Sequence, residues 1–311
     1  MENIYSLTSL YDESLPIEIQ RHIKKHFVYR AIWVYLIGFI CVIIESFTIG
    51  IQLWEISLFL VMYLICMVGI TVGFHRLFSH KTFQTSQTLK KILAIMGIMS
   101  QQGTLIFWVA LHRCHHQYTD TPGDPHSPHY NSSEKISGFK GFSHAYVGWF
   151  LEDGCLPDPK IYCKDLLQEP IWQKLDDNSL MIFGLSCLIP GIIGSLITHT
   201  FLGLLQGFLW GGLFRFIFSS NTGIWVNTVG HLYGKKMFDN NDESCNNLFL
   251  AIATLGEGWH NNHHAFTNSA KFGLKWWQID CGYWVIKVLE FFGLVWDVKT
   301  PSITQISNKK L

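Results

Sequence analysis

The chain has 311 residues, of which 49% are hydrophobic and only 15% are charged, whereas soluble domains carry nearer a quarter charged residues. The 23 basic residues balance the 23 acidic ones, which argues against a nucleic-acid partner. A mean hydropathy of +0.21 with 15% aromatic residues indicates a membrane protein and excludes disordered, collagen-like and coiled-coil chains. The eight cysteines form no CxxC pair, so we expect reduced thiols rather than disulfides.

Four apolar segments are long enough to cross the hydrocarbon layer as helices, which takes about 20 residues. They are Val28–Thr48, Ile56–Phe74, Asn178–Thr198 and Phe201–Ser219. Short connections join them into two hairpins, so the predicted fold is that of an all-α integral membrane protein. Residues 1–27 are polar and show no signal peptide. We assign residues 28–299 to the membrane domain and residues 300–311 to a C-terminal tail.

Lysine and arginine are distributed asymmetrically along the chain. None lies between Ala31 and His75 or between Leu175 and Phe214, whereas ten lie from Arg76 to Lys174. Because positively charged loops stay in the cytoplasm, both termini and the central loop are predicted to be cytoplasmic. The endoplasmic reticulum and the bacterial inner membrane both satisfy this pattern.

A fifth uncharged stretch, Ile92–Leu111, has a polar middle, the run Ser100-Gln101-Gln102-Gly103-Thr104. If this stretch crossed the membrane, the basic residues that flank it would lie on opposite sides. We therefore predict a re-entrant or interfacial helix that packs on protein.

Histidine is the most informative residue type, because nine of the fifteen histidines are clustered in short motifs. Residues at positions i, i+3 and i+4 share one face of a helix, and two of the clusters have this spacing. With the predicted topology, every cluster lies on the cytoplasmic side. The clustered residues are His75, His80, His112, His115, His116, His231, His260, His263 and His264.

Neutral imidazole is a good ligand for iron, copper, nickel and zinc, and nine imidazoles exceed what one four-coordinate zinc ion uses. They suffice for two metal ions with four or five ligands each. The zinc-protease motif HExxH is absent, since Arg113 and Asn261 stand at the glutamate position. The remaining histidines have no such grouping and are expected to be ordinary surface or hydrogen-bonded residues: His22, His26, His126, His129, His144 and His199.

The motifs HRLFSH, HRCHH and HNNHH resemble the three histidine boxes of membrane fatty acyl desaturases. NTVGHLYG resembles an additional motif of the stearoyl-CoA (Δ9) branch, and TDTPGDPHSP and GEGWHNNHH extend the similarity over residues 56–297. The resemblance implies four transmembrane helices in two hairpins under a cytosolic helical cap that holds a diiron site. It implies one iron ion held by His75, His80, His112, His116 and His263. The other would be held by His115, His231, His260 and His264, with Asn227 contributing through a water.

Imidazole ligands need hydrogen-bond acceptors that orient their rings. Asp120, Asp124 and Glu257 stand near the boxes and are our candidates for this role.

The acyl chain needs a long apolar slot, which aromatic residues and glycines around Phe201–Phe218 and Phe107–Trp108 are candidates to line. The resemblance places Gln102 and Trp108 at the bend of a substrate tunnel, where Gly223 replaces the usual threonine of the opposite wall. We expect Gly223 to leave extra room there. Ala110-Leu111 replaces an Arg-Asp pair that contacts the CoA head group in animal enzymes, which makes lipid or acyl carrier protein a credible carrier beside CoA.

The leading hypothesis is an O₂-dependent desaturase that inserts a cis double bond, at Δ9, into a saturated acyl chain carried on CoA or lipid. A hydroxylase or acetylenase on the same scaffold is the alternative enzyme. A transporter would place histidines or acids inside the spans near the midplane, and a scaffold would not need nine clustered histidines. Because no haem or flavin motif is visible, a separate cytochrome b5 or ferredoxin with its reductase is expected to supply electrons.

Overall fold

The computed structural model of the chain describes residues 17–153 and 156–309. These residues are mostly helical, with very little β-structure, which confirms the predicted all-α class. Four helices are long and apolar enough to cross a membrane: α1 (Ile17–Thr48), α2 (Leu53–Ser79), α10 (Ser179–Thr198) and α11 (Phe201–Leu232). The assignment of residues 1–27, 28–299 and 300–311 to separate parts of the chain stays a prediction.

Shorter elements complete the described fold. The helices are α3 (Gln87–Ile98), α4 (Leu105–Tyr118), α5 (Gly138–Ser143), α6 (Trp149–Leu151), α7 (Pro159–Tyr162), α8 (Lys164–Leu167), α9 (Pro170–Asp177), α12 (Leu248–Ala253), α13 (His260–Ala265), α14 (Cys281–Phe291) and α15 (Ile303–Lys309). Two short antiparallel ribbons pair β1 (Gln84–Thr85) with β4 (Val295–Trp296), and β2 (Tyr130–Asn131) with β3 (Glu134–Lys135). The seven described cysteines are free, as expected, and Cys155 lies outside the described residues.

Three of the four long helices extend well past the predicted spans. The described part of α1 begins at Ile17, α2 continues from Phe74 to Ser79, and α11 continues thirteen residues beyond Ser219. Hydropathy detects only the apolar part of a helix, whereas the extensions are more polar, and those of α2 and α11 carry His75 and His231. The end of α2, Gly69–Ser79, is wound as a π-helix and is buried throughout, and such windings are frequent at functional sites.

The stretch Ile92–Leu111 is not one helix, and the prediction of a single re-entrant or interfacial helix is wrong in this respect. It contributes the end of α3 and the start of α4, which are separated by residues 99–104. Gly103 has a φ of 120°, a conformation that favours glycine. Asp176 accepts hydrogen bonds from the backbone N–H groups of Leu105 and Ile106, both at 2.9 Å, and so caps the start of α4. The polar run therefore breaks the helix.

The two membrane hairpins are joined by a buried polar cluster near their tips. The Gln206 amide donates to Glu45 at 2.9 Å and to Glu55 at 2.7 Å. The Trp210 indole donates to the other Glu45 oxygen at 2.8 Å. Buried carboxylates are stable only when their oxygens are hydrogen-bonded, so this cluster fixes how α1, α2 and α11 pack together.

Candidate metal centre

The nine clustered histidines come from five places in the sequence and meet in one buried region. His75 lies in the π-helical end of α2, and His80 is the first residue after that helix. Three histidines lie on α4, and three lie on α13. His231 lies on the last turn of α11. The long helices α2 and α11 therefore end at the site.

The nine imidazoles form two groups, in each of which the ligand atoms lie within 4.8 Å of one another. One group is His75, His80, His112, His116 and His263, and the other is His115, His231, His260 and His264. The Nε2 atoms face each other inside each group. The Nε2–Nε2 distance is 2.7 Å between His80 and His112 and 2.8 Å between His231 and His260. Three further Nε2–Nε2 distances, His75–His263, His116–His263 and His260–His264, are 2.9–3.1 Å.

Four carboxylates orient the rings from behind. Glu257 accepts from Nδ1 of His75, Asp124 from Nδ1 of His115 at 2.9 Å, and Asp120 from Nδ1 of His231 at 2.8 Å. All three are the acceptors expected from the sequence. The fourth is Asp242, which accepts from Nδ1 of His264 at 3.0 Å. Asp242 was not predicted from the sequence, because it lies in none of the histidine motifs and next to none of them.

The hydrogen bonds and the burial of these rings fix their protonation. An ionised carboxylate only accepts hydrogen bonds, so the Nδ1 of each of the four rings that faces a carboxylate donates to it. Burial, with further contributions from neighbouring imidazoles, lowers the pKa of His112, His116, His260 and His263 well below its ordinary value. These rings are therefore neutral at physiological pH.

The facing Nε2 atoms fit a bound metal ion in each group. Lone pairs that converge at 2.7–3.1 Å repel one another unless a proton or a metal ion lies between them. Two ligand atoms at right angles around an ion, with bonds of about 2.1 Å, lie about 3.0 Å apart. Nε2 of His115 is buried and has no hydrogen-bond partner among the described residues. The donor set is all imidazole, which suits a transition metal and not magnesium or calcium.

His126 is not an ordinary surface residue, in contrast to the expectation from its isolation in the sequence. It is 2% exposed, its ring stacks on His115 with centroids 4.7 Å apart, and its Nδ1 lies 3.8 Å from Asp124. The isolation was misleading because the contacts are made through the loop after α4. The other unclustered histidines described with partners are structural: His129 lies 3.0 Å from the His231 carbonyl and His144 lies 3.2 Å from Glu152.

Arg76 is a buried cation that contacts Glu257, the carboxylate that accepts from His75. Its guanidinium is fully buried and donates to Glu257 at 3.1 Å and to Asp280 at 2.8 Å. Its Cζ lies 3.8 Å from the centre of the Phe272 ring. Asp280 in turn accepts from the backbone N–H groups of residues 272 and 273. Arg76 therefore links the first histidine box to the loops around the third.

A cavity of about 310 Å³ adjoins the centre, and the expected tunnel residues Gln102, Trp108 and Gly223 all line it. His75, His112, His260 and Asn227 line it as well. Trp108 stacks on His112, with ring centroids 4.9 Å apart. Among the described lining residues, Arg30, on α1, and Asp177, at the end of α9, are exposed.

Of the aromatic residues and glycines that were predicted to line the acyl slot, some of the aromatic residues do line this cavity. Phe107, Trp108 and Phe216 line the cavity, but the glycines between Phe201 and Phe218 do not. An added Cβ at Gly207 would lie 2.1 Å from the Pro190 carbonyl oxygen. These glycines let α11 approach α10 closely, which is the common role of small residues in membrane helices.

Gly223 does not leave extra room, and that expectation is wrong. The carboxamide of Gln102 fills the space, because an added Cβ at Gly223 would lie 2.2 Å from Gln102 Oε1. The amide of Gln102 donates to the Ser219 carbonyl at 2.7 Å and lies 3.1 Å from Thr222 Oγ1. A glycine at position 223 therefore accommodates Gln102 rather than the substrate.

Gly223→Thr is expected to push the Gln102 carboxamide out of its place and into the cavity, and so to lower turnover. The double variant Gln102→Ser/Gly223→Thr removes the obstructing group and should recover part of the lost rate. Product formation by the single and double variants in equal amounts of membrane protein measures both effects. Unchanged turnover and products for Gly223→Thr would show that residue 223 does not shape the cavity.

The family of the chain follows from comparison with known proteins. The family model described as Fatty acid desaturase matches residues 51–288. The chain belongs to the fatty acid desaturase family. The resemblance of the histidine motifs is thereby confirmed, and the chain is a membrane oxidoreductase of this family.

Relatives of this desaturase differ in the substrates given in their names. A hex-5-enoyl acyl-carrier-protein acetylenase from Moorena producens is 46% identical over 83% of this chain and 80% of its own length. An sn-1 stearoyl-lipid 9-desaturase from Synechocystis is 36% identical over 78% of this chain and 70% of its own. An acyl-CoA 5-desaturase from Anemone leveillei is 36% identical over 81% of this chain and 73% of its own length. The family is therefore shared, whereas carrier and position of oxidation vary among its members.

Proposed function

We propose that this chain is an O₂-dependent acyl desaturase in which the nine imidazoles hold two iron ions. The observation that carries the proposal is the convergence of Nε2 lone pairs into two groups, one of five and one of four ligands. The first iron ion would be held by the group that contains His75, and the second by the group that contains His231. Asn227 lies one helical turn before His231 and lines the cavity, which suits a contribution through water.

Removal of two hydrogens from a saturated chain needs an oxidant that side chains do not provide. Two iron ions at this site would supply the reduction of O₂. Overall, one O₂, two electrons and two protons would convert one CH₂–CH₂ unit to CH=CH and form two molecules of water. The protein itself aligns the chain beside His75 and His260 and keeps bulk water from the buried centre.

In this proposal, the metal centre and both ends of the membrane domain lie on the cytoplasmic side of the membrane. In two antiparallel hairpins, the starts of α1 and α10 and the ends of α2 and α11 lie on one side of the membrane, and this is the lysine- and arginine-rich side. A soluble or membrane-bound donor on that side, a cytochrome b5 or a ferredoxin with its reductase, would supply the two electrons.

The leading substrate is a saturated acyl chain carried on CoA or lipid and oxidised at Δ9. Besides lying next to the centre, the cavity extends along α2 from His75 to Met67, eight residues toward the interior of the membrane. Such depth accommodates methylenes beyond the reacting carbons, which oxidation in the middle of a chain requires. The relationship to the stearoyl-lipid 9-desaturase supports the same position.

An acetylenase is the second candidate, and one observation favours it. The relative with 46% identity is named for a hex-5-enoyl chain on acyl carrier protein. Ala110-Leu111, which replaces the Arg-Asp pair, also agrees with a carrier other than CoA. In this case the bond oxidised would already be a double bond, and the same abstraction of hydrogens would form a triple bond.

Product analysis distinguishes the two candidates. The chain is expressed in a host that lacks desaturases, and derivatised lipids and carrier-bound acids are analysed by mass spectrometry. A Δ9 monounsaturated product on CoA or lipid supports the leading proposal. A hexynoyl product formed only with acyl carrier protein and a hexenoyl substrate would support the acetylenase and contradict the Δ9 assignment. Purified protein with hexanoyl, hexenoyl and stearoyl substrates gives the direct comparison.

A further inference from the structure

The outer face of α14 is apolar, although this helix is not one of the four membrane spans. Trp284, Val288 and Phe291 are 56%, 56% and 84% exposed, and their spacing of four and three residues places them on one face. The opposite face holds Gly282 and Ile286, which are buried. A helix on the surface of a soluble domain carries polar residues on its outer face, so this face calls for an apolar partner.

A second apolar face lies on α12, beside α14. Phe249 is 84% exposed, and Leu248 and Ile252 are also exposed. The loop after α12 meets the start of α14, because the backbone N–H of Gly282 donates to the Leu255 carbonyl at 2.7 Å. We call the combined surface the apolar belt; it consists of Leu248, Phe249, Ile252, Trp276, Trp277, Trp284, Val288, Phe291 and Phe292.

One hydrogen bond sets the height of the apolar belt relative to the spans. The Tyr63 hydroxyl donates to the carbonyl of Ala253, the last residue of α12, at 2.6 Å. Tyr63 lies in the apolar part of α2, sixteen residues before the end of that helix. The end of α12 therefore lies alongside a part of α2 whose neighbours Leu60 and Leu64 are themselves exposed. The belt continues the surface that the spans present to lipid.

Lysines accompany the aromatic residues of this region. The Lys275 ammonium lies 5.7 Å from the centre of the Trp277 ring, and the Lys271 ammonium lies 5.8 Å from that of Tyr283. Lys287 is exposed on α14. Tryptophan and tyrosine are enriched at the membrane–water interface, and lysine reaches from apolar surface to the head groups. This composition suits phospholipid better than a protein partner.

We propose that the apolar belt inserts into the lipid leaflet next to the metal centre, as a membrane contact in addition to the four spans. In the sequence, the residues of the belt precede and follow residues 257–264, which contain Glu257 and the third histidine box. Lipid contact there holds the box at a constant depth relative to the acyl chains of the bilayer. The partner is the phospholipid bilayer itself.

Lipid photolabelling tests this proposal. The purified chain is placed in phosphatidylcholine nanodiscs, one copy per disc, with a small fraction of diazirine-bearing phosphatidylcholine, and labelled peptides are identified by mass spectrometry. We expect labels in residues 248–253 and 276–292 as well as in the four spans, and none in the loop 236–246 over the metal centre. Labelled spans with an unlabelled belt would overturn the proposal, because a disc with a single copy has no second copy of the chain to cover the belt.

Charge substitution gives an independent test. Phe249→Asp and Phe291→Asp place a carboxylate where lipid is expected, so labelling of the surrounding peptide should fall toward the background level. Ile303→Asp is the matched control. Ile303 is 86% exposed and lies on α15, which is attached to α13 through the Lys309 ammonium and the Ala265 carbonyl. Lipid contact at the belt would be contradicted if the belt peptides of all three variants were labelled as strongly as those of the wild type. It would also be contradicted if Ile303→Asp lowered the labelling of the belt peptides as much as the two phenylalanine variants do.

Discussion

Loss of one imidazole from either histidine group is expected to abolish turnover. His231→Ala and His260→Ala each remove a ligand from the group of four, and His112→Ala and His116→Ala each remove one from the group of five. Loss of a residue that merely orients a ligand already costs about 10–100-fold in metal affinity or activity, and loss of the ligand itself exceeds this. Product formation and bound metal are measured on equal amounts of membrane-inserted protein.

The control for these variants is His199→Ala. His199 is exposed and lies at the end of α10, at the opposite end of the span from the centre. It should retain wild-type turnover and metal content. His126→Ala is not a suitable control, because the His126 ring stacks on His115. Turnover in any of the four ligand variants that matches that of His199→Ala would contradict the assignment of that ligand.

Replacement of Arg76 by methionine is expected to destabilise the protein strongly. The change leaves Glu257 and Asp280 buried without their common cation, and removal of one partner from a buried ion pair costs about 3–5 kcal/mol. The thermal unfolding midpoint should fall, and metal retention should fall with it, since Glu257 also orients His75. Arg76→Lys should recover only part of the stability, because a lysine cannot donate to both carboxylates in the same fork geometry.

Arg21→Met is the matched control for Arg76→Met. Arg21 pairs with Asp153 at the surface, with a side chain 51% exposed, and solvent screening leaves such an exposed ion pair with little effect on stability. Its unfolding midpoint and metal content should be close to those of the wild type. If both arginine variants unfold at the same temperature as the wild type, the network of Arg76 does not support the centre.

The spans and the histidine clusters were predictable because each depends on neighbours in the sequence. A run of about 20 apolar residues spans the hydrocarbon layer whatever the rest of the chain does. Histidines three and four residues apart share a helix face, as His260, His263 and His264 do on α13. The break between α3 and α4 was visible as a polar run, but its geometry depends on the distant cap Asp176, which no local pattern indicates.

The contacts behind the imidazoles depend on the tertiary fold and were only partly predictable. Asp120 and Asp124 follow the second box closely, and Glu257 precedes the third, so proximity in sequence identified them. Asp242 lies twenty-two residues before His264 and has no such signal. Likewise, no pattern in the sequence indicates that Gln102 fills the space at Gly223, because the two residues are 121 positions apart.

Metal analysis of the purified protein tests the central claim most directly. The chain is expressed in iron-replete, low-zinc medium and purified in its membrane-inserted form, and metals are counted by mass spectrometry against protein determined by amino-acid analysis. Two separate groups of imidazoles predict about two iron ions per chain, because nine ligands exceed the needs of a mononuclear site. A stoichiometry near one, or zinc in place of iron under these conditions, would contradict the diiron centre.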